Sequence, residues 1–432
     1  MLQRLTGLLP EISFLRKLSA LVGGTLAGQA LVILVSPLLT RLFTPEEFGV
    51  FAVFAALAGI LGASATLRFE YAVPVAANDE DAAALVMVAI VATGLTAALQ
   101  TLLIWYFGAR LATAVEAPAL AGWLWLLPPA SLTWGFGSAL AHWSIRRNTY
   151  AVNGLNRTLH LGSQASGQVV FGLLGTGGPG LIVGYLVGYV VRVGHYLGSL
   201  RVGERRLLRS QPPAALWRRA CESWRYPAFA FPSGLLHNSA ELVPVFLVAA
   251  LYGTSVAGLY ALGQRVMSLP MQMLSQVASQ VFLGELRGLD PAAIHRLFLR
   301  TIALFTGLGL LGMVPLLLFA PALFAIVFGE TWRESGSIVQ LLVPLYLVRF
   351  IVQPISQLLY AFGRQAIHLL SAGLAMLALL ASFGAGHALD LDAHLTILLY
   401  SLTSSATFLL YLWISWAMAR QQRVEVGVAA EI

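Results

Sequence analysis

Uncharged apolar stretches of about twenty residues recur from one end of the chain to the other, each closed by charges, glycine or proline. Twelve stand out, at 18–39, 48–67, 84–107, 119–141, 158–176, 178–200, 228–251, 255–283, 297–319, 337–360, 366–386 and 393–416. Each is long enough to cross a hydrocarbon core of ~30 Å. A soluble chain would interleave apolar with polar stretches. The expected class is therefore an all-α integral membrane protein, with twelve transmembrane helices in two six-helix lobes around a central cavity.

Composition agrees: 58% of the residues are hydrophobic and 10% charged, against about a quarter charged in soluble domains. The first sixteen residues hold Arg4, Glu11 and Arg16 but no small-residue cleavage site after a short apolar core. The stretch 18–39 thus reads as a retained first span behind a cytoplasmic segment, 1–17. Cys221 is the only cysteine, so an intrachain disulfide and a cysteine-based metal site are both ruled out.

The net charge is +7, carried by 25 arginines and Lys17. Such a balance raises a nucleic-acid reading, but the placement of the charges belongs to membrane topology, and no nucleic-acid partner is expected. An even number of spans puts both termini on one side. Twenty of the 26 basic residues then fall on that side, and only Arg41, Arg110 and Arg333 fall opposite. Cytoplasmic loops hold the positive charge, so both termini are expected in the cytoplasm. Adding or removing one span in the middle would destroy the split.

The longest stretch between spans, 201–227, carries seven arginines with Pro212 and Pro213 and divides the spans six and six. It reads as a basic cytoplasmic linker between an amino-terminal lobe, 18–200, and a carboxy-terminal lobe, 228–416, with a cytoplasmic tail at 417–432. A faint repeat supports two related halves: Leu42-Phe43-Thr44-Pro45-Glu46-Glu47-Phe48-Gly49-Val50-Phe51-Ala52 aligns without gaps to Leu251-Tyr252-Gly253-Thr254-Ser255-Val256-Ala257-Gly258-Leu259-Tyr260-Ala261. Because six is even, the halves enter the membrane in the same sense, as in transporters that rock two bundles about a central site.

Three arginines, Arg192, Arg265 and Arg349, fall within spans, and Glu241 is the one acid well inside a span. Each such charge costs roughly 2.5 to 3.5 kcal/mol at a helix centre on insertion scales. Helical spacing supplies polar company. Gly258, Ala261, Arg265, Ser268, Gln272, Gln276 and Ser279 form one stripe, and Tyr346, Arg349, Gln353, Ser356 and Tyr360 another. Tyr185, Tyr189, Arg192, Tyr196 and Ser199 form a third, Gly234, Asn238 and Glu241 a fourth, and Thr25, Gln29, Ser36 and Thr40 a fifth. Taken together they would line one wet cavity. For a single Ser or Gln the plainer role is to knit helices together, and an Arg with Glu241 could form a structural pair. For the arginines as a set the functional reading is preferred. A cationic, aromatic cavity suits phosphate and sugar, because the guanidinium fork pairs bidentately with phosphate oxygens and aromatic faces stack on sugar rings. A cation exporter would call for the opposite sign.

Local motifs then carry a family resemblance. Ser36-Pro37-Leu38-Leu39-Thr40-Arg41-Leu42-Phe43-Thr44-Pro45-Glu46-Glu47-Phe48-Gly49-Val50-Phe51 and Thr66-Leu67-Arg68-Phe69-Glu70-Tyr71-Ala72, before the acidic Asn78-Asp79-Glu80-Asp81, resemble the amino-terminal region of polysaccharide-biosynthesis oligosaccharide flippases. Tyr226-Pro227 with Pro232-Ser233-Gly234, Ala257-Gly258-Leu259-Tyr260-Ala261-Leu262-Gly263-Gln264-Arg265-Val266, and Phe328-Gly329-Glu330-Thr331-Trp332-Arg333-Glu334-Ser335-Gly336 follow in the same order. The resemblance spans roughly residues 15–420. It implies the fold of the multidrug, oligosaccharidyl-lipid and polysaccharide exporters, working by alternating access in the bacterial inner membrane. The implied substrate is an undecaprenyl-pyrophosphate-linked repeat unit for O-antigen, capsule or exopolysaccharide. The implied partners are that lipid-linked oligosaccharide, membrane lipids, a polysaccharide polymerase and a chain-length regulator. Of the basic residues, Arg68 and Arg265 sit inside matched motifs, while Arg192 and Arg349 rest on the helical stripes. The expected cavity set is thus Arg265, Arg349, Arg192, Arg68, Gln272, Gln353, Tyr189, Tyr346 and Gln29, with Glu241 as coupling group or counter-ion. A multidrug cation antiporter of the same superfamily is the alternative.

A polymerase or membrane glycosyltransferase is the enzyme alternative, and it would call for a sizeable extramembrane region. Asp390-Leu391-Asp392 near His387 and His394 reads as a solvated loop rather than a metal site. With Lys17 as the only lysine the chain holds no phosphate-cradling Walker motif. No catalytic residue, metal or cofactor is expected, and H+ or Na+ are the candidate coupling ions.

Overall fold

The structure, a computed structural model, describes residues 23, 27–114, 120–285, 291–361 and 365–429. It leaves undescribed the side chains at 237, 269–270, 272–285, 291–292, 294, 356–361, 365–369 and 418–429. Among the described residues there are helices and turns and no strand.

The chain opens with α1 (Ala27–Leu42) and turns sharply into α2 (Pro45–Ser64). The corner is fixed by its own sequence. Thr44 caps α2 by accepting the Glu47 N–H, while Glu47 accepts the Thr44 N–H at 2.8 Å, with Pro45 at the first helical position. A short 3-10 turn, Phe69–Val75, leads to α3 (Asp79–Ala114). Then follow α4 (Leu127–Arg146), α5 (Tyr150–Leu173) and α6 (Gly178–Ser199). Two short helices come next, α7 (Val202–Arg209) and α8 (Pro213–Glu222). Beyond them, α9 (Phe231–Glu285) is interrupted at Gly253, whose φ of 85° and ψ of 167° are non-helical. The chain continues with α10 (Pro291–Phe328), α11 (Arg333–Ala361), α12 (Gln365–Ala388) and α13 (Ala393–Ala429).

Eight segments are long and apolar enough to cross a membrane: Pro45–Ser64, Asp79–Ala114, Gly178–Ser199, Asn238–Ser268, His295–Phe328, Glu330–Ile355, Leu370–Ala388 and Ala393–Ala417. The chain is thus a multi-pass membrane protein. Helices also lie over the other expected spans, but α4 and α5 carry more polar residues, and α1 is short among the described residues. The figure of twelve crossings stays an expectation of the sequence. Residues 18–22 and 24–26 of the expected first span lie outside the described residues. The expected tail at 417–432 is a continuation of α13 as far as Ala429.

The chain divides into two compact units, one ending at Thr254 and the other beginning at Ser255. This division falls one helix later than the arginine-rich stretch. In the first unit, residues 231–252 lie against α2, where a Cβ on Gly59 would meet Leu242 at 2.8 Å. α5 and α6 approach through small residues, a Cβ on Gly167 standing 3.2 Å from the Gly184 Cα. In the second unit, α10 and α11 cross at Gly336, where a Cβ would stand 2.5 Å from the Ala320 carbonyl. The Ser382 and Thr403 hydroxyls join α12 to α13 at 2.7 Å.

The stretch 201–227, expected to be a linker, is built into the first unit. Leu208 of α7 is buried in a core with Phe69, Val73, Val86, Ala89 and Trp143, and Leu216, Ala220 and Tyr226 cover its edge. Ion pairs hold the same face. Asp79 at the start of α3 takes Arg146 at 3.0 Å and Arg147 at 2.8 Å, and Arg147 also reaches Glu204 of α7 at 2.9 Å. Arg219 of α8 pairs with both Asp81 and Glu222. Shared partners make this a network, which holds better than isolated surface pairs.

Candidate functional site

Within the first unit α5 and α6 bring a polar stripe and an aromatic stripe together. On α6, Tyr185, Tyr189, Arg192 and Tyr196 follow at helical spacing, as the sequence predicts. Tyr189 is enclosed on three sides: Trp134 of α4 stacks on it at 5.1 Å, His160 of α5 meets it edge-on at 4.4 Å, and Tyr185 lies 4.9 Å away. The Arg192 guanidinium lies 6.0 Å from the Tyr189 ring centre, within cation–π range. It passes α4 at Gly137, where a Cβ would stand 2.8 Å from Nε. Asn156 donates to the Arg192 carbonyl at 2.8 Å, and Tyr196 donates to Asn153 Oδ1 at 3.0 Å.

Arg157 belongs to this group and was missed. The charge count treats it as a boundary residue, yet it stands seven residues inside α5 and interacts electrostatically with Tyr189, Arg192 and Tyr196. It is exposed. The signal was present: Asn153, Arg157, His160, Gln164 and Gln168 step by three and four along one face of α5, with Asn156 one turn before His160. His160 Nδ1 and Gln168 Oε1 are buried without a hydrogen-bond partner. Gln29 of α1 is also buried, 2% exposed, and its Oε1 lacks a partner.

Arg68 adopts a left-handed conformation with φ of 66°. Its Nη1 donates to the Tyr71 hydroxyl at 2.8 Å, and the guanidinium lies against Gly234 of α9. Tyr71 in turn meets His142 of α4 at 5.2 Å. His142 is five residues beyond Gly137, about 7 to 8 Å along the helix, so α4 links the surroundings of Arg68 and Arg192. Beside Arg68, Glu70 is buried, 2% exposed, with Oε2 unpartnered. Sequence reasoning did not single it out. Glu241 is half-buried in the segment Asn238–Ser268 and engaged rather than free.

Within the second unit, α9, α11 and α13 assemble another set. Tyr346 shares a hydrogen bond with Gln264, and Tyr400 shares one with Tyr260. Arg349 interacts electrostatically with Tyr400. Arg265 follows Gln264 on α9, half-buried, and no carboxylate pairs with it among the described residues. Gln353 lies one turn from Arg349 on α11, half-buried and engaged. The Gln272 side chain lies outside the described residues. Tyr260 and Tyr400 were not on the expected stripes. Tyr260 sits in a matched motif one residue from the Ala261 position of its stripe.

A further cavity of about 290 Å3 opens where α4, α6 and α7 meet, lined by Arg146, Arg147, Tyr196, Ser199, Arg201 and Glu204 among others. Its Arg146 and Arg147 are already held by Asp79 and Glu204. Among the described residues no group of three or more His, Cys, Asp or Glu is placed to hold a metal.

Guanidinium groups beside tyrosine faces offer bidentate hydrogen bonds to phosphate and stacking surfaces to sugar rings. Residues 38–337 match the family described as "Polysaccharide biosynthesis protein". No curated protein sequence matches the chain. Among solved structures the fold is similar to that of the lipid II flippase MurJ in an inward closed conformation, with a TM-score of 0.73 at 13% identity over 91% of this chain and 87% of that one. It is also similar to a MOP superfamily transporter from Pyrococcus furiosus described by the reverse polarity of its binding pocket (TM-score 0.62, 14% identity, 94% and 95% covered). A multidrug resistance MATE family transporter of that superfamily, inward-facing, matches at TM-score 0.58 and 14% identity over 95% of each chain. At these identities the likeness is one of fold.

Proposed function

We propose, on the premise that this chain belongs to the family of polysaccharide biosynthesis proteins, that it is a flippase for undecaprenyl-pyrophosphate-linked oligosaccharide repeat units. It carries them across the bacterial inner membrane by alternating access, with both termini in the cytoplasm. The observation that carries this reading is Arg265: a half-buried cation within a membrane-spanning segment, next in the chain to Gln264, which shares a hydrogen bond with Tyr346, and without a carboxylate partner among the described residues. A cation held at such a cost suits the charge of a pyrophosphate that visits it. Arg157, Arg192 and Arg349 add guanidinium groups that interact with tyrosines. H+ or Na+ would drive the cycle, with Glu241 as the candidate coupling group or counter-ion. The released repeat unit would pass to a polymerase and chain-length regulator.

The test uses purified full-length protein in liposomes loaded with a defined undecaprenyl-pyrophosphate-linked oligosaccharide. A membrane-impermeant glycan-modifying reagent should reach the inner-leaflet sugar only when active protein is present. The likeness to a multidrug transporter favours a second reading, cation export, and the same liposomes scored for a lipophilic cation decide between the two. Cation efflux without glycan movement would replace the proposal.

A further inference from the structure

The docked helices α7 and α8 turn one face to the first unit and leave the other unpartnered. On α8 the inner face holds Leu216, Arg219 and Ala220, while Trp217, Arg218 and Cys221 point outward. Trp217 is 75% exposed; beyond it, Trp224 is 54% and Phe229 66% exposed, their rings 5.9 Å apart. On α7, Val202 is exposed in the same way. Exposed arginines surround these apolar groups: Arg206, Arg209, Arg218 and Arg225. Nothing neutralises them among the described residues, because Asp79, Asp81, Glu204 and Glu222 pair instead with Arg146, Arg147 and Arg219.

Position supplies the partner. The chain leaves the membrane-spanning segment Gly178–Ser199 immediately before α7 and enters Asn238–Ser268 shortly after Phe229. Both helices are therefore held at one membrane surface. Exposed tryptophan interleaved with arginine, on short helices docked at that level, is what an interfacial element presents: rings in the headgroup region, guanidinium groups toward lipid phosphate. We propose that the outward face of α7, α8 and the turn to Phe229 is a docking surface for the headgroups of acidic phospholipids in the adjoining leaflet. It is separate from the intramembrane arginines and goes beyond the flippase reading.

Cys221, exposed on this face and the only cysteine, accepts a spin label in the full-length protein without substitution. In nanodiscs containing phosphatidylglycerol the label should lose access to a water-soluble relaxation agent, relative to discs of phosphatidylcholine alone. The difference should shrink as salt rises. Arg206→Gln, Arg209→Gln, Arg218→Gln and Arg225→Gln combined should abolish the lipid dependence. Should that variant fail to fold, the lipid and salt comparison on the unaltered protein decides alone. Equal accessibility in both disc types overturns the proposal. So does an equal effect of inorganic phosphate in phosphatidylcholine discs, which would mean an anion site without lipid. A loss of access that follows protein concentration and ignores lipid also overturns it, by assigning the face to a second copy of the chain.

Discussion

The Arg192 guanidinium passes α4 at Gly137, where a methyl group would stand 2.8 Å from its Nε. Gly137→Ala therefore pushes a flexible cation rather than backbone, and alanine also gains about 0.8 to 1.0 kcal/mol of helix propensity. Thermal stability should hold while glycan flipping falls on the order of tenfold or more, as displacing a binding group by about 1 Å does. Unfolding curves and the liposome assay separate the two effects. Flipping at the normal rate would show that the placement of Arg192 does not matter.

Arg265 and Arg349 lie on α9 and α11 of the second unit, Arg349 interacting with Tyr400 and Arg265 following Gln264, the partner of Tyr346. Alanine at either position should abolish glycan export at normal abundance. Lysine keeps the charge but loses the planar fork, so it should be only partly tolerated. Export of surface glycan, normalised to the amount of protein in the membrane, is the measurement. Normal export by both alanine variants would remove the phosphate-binding role.

Glu241 separates two roles. As a counter-ion its loss leaves a cation uncompensated, so Glu241→Gln should lower abundance, and neutralising one intramembrane arginine as well should restore it. This is the expected outcome, since one acid among several arginines is more easily held ionised than protonated. Normal abundance with transport that no longer follows an imposed pH gradient would instead identify a proton-coupling site.

Gly253 interrupts α9 at φ 85° and ψ 167°, a region that side chains avoid at a cost of about 1 to 3 kcal/mol. Gly253→Ala and Gly253→Asn should both lower the unfolding midpoint by several degrees, because this region is open essentially to glycine alone and lies outside the left-handed helical well that asparagine tolerates. An unchanged midpoint for the alanine variant would show that the break relaxes freely.

Periodicity made the spans legible, and helical spacing made Tyr189 with Arg192 and Tyr346 with Arg349 legible as stripes. The corner at Thr44 was readable too, because a capping box is local. Arg157 was hidden by its neighbourhood in the sequence. It stands near Arg146 and Arg147, and a charge count cannot tell a boundary arginine from one two turns inside a helix. The docking of α8 could not be read at all. Arg219 finds Asp81 across 138 residues of chain, and no spacing rule reaches that far. The tyrosine pair Tyr260 and Tyr400 was lost for the same reason, since its members sit on α9 and α13.

The repeat that aligns Leu42–Ala52 with Leu251–Ala261 sets Thr44 opposite Gly253, and each is the non-helical residue at which its helix breaks. The duplicated corner has diverged in stiffness. In the first copy, rotating the backbone tears two capping hydrogen bonds. In the second, glycine offers no side chain to lock, and the break adjoins the boundary at Thr254. One copy of the turn is a latched corner, and the other a corner held open to glycine alone.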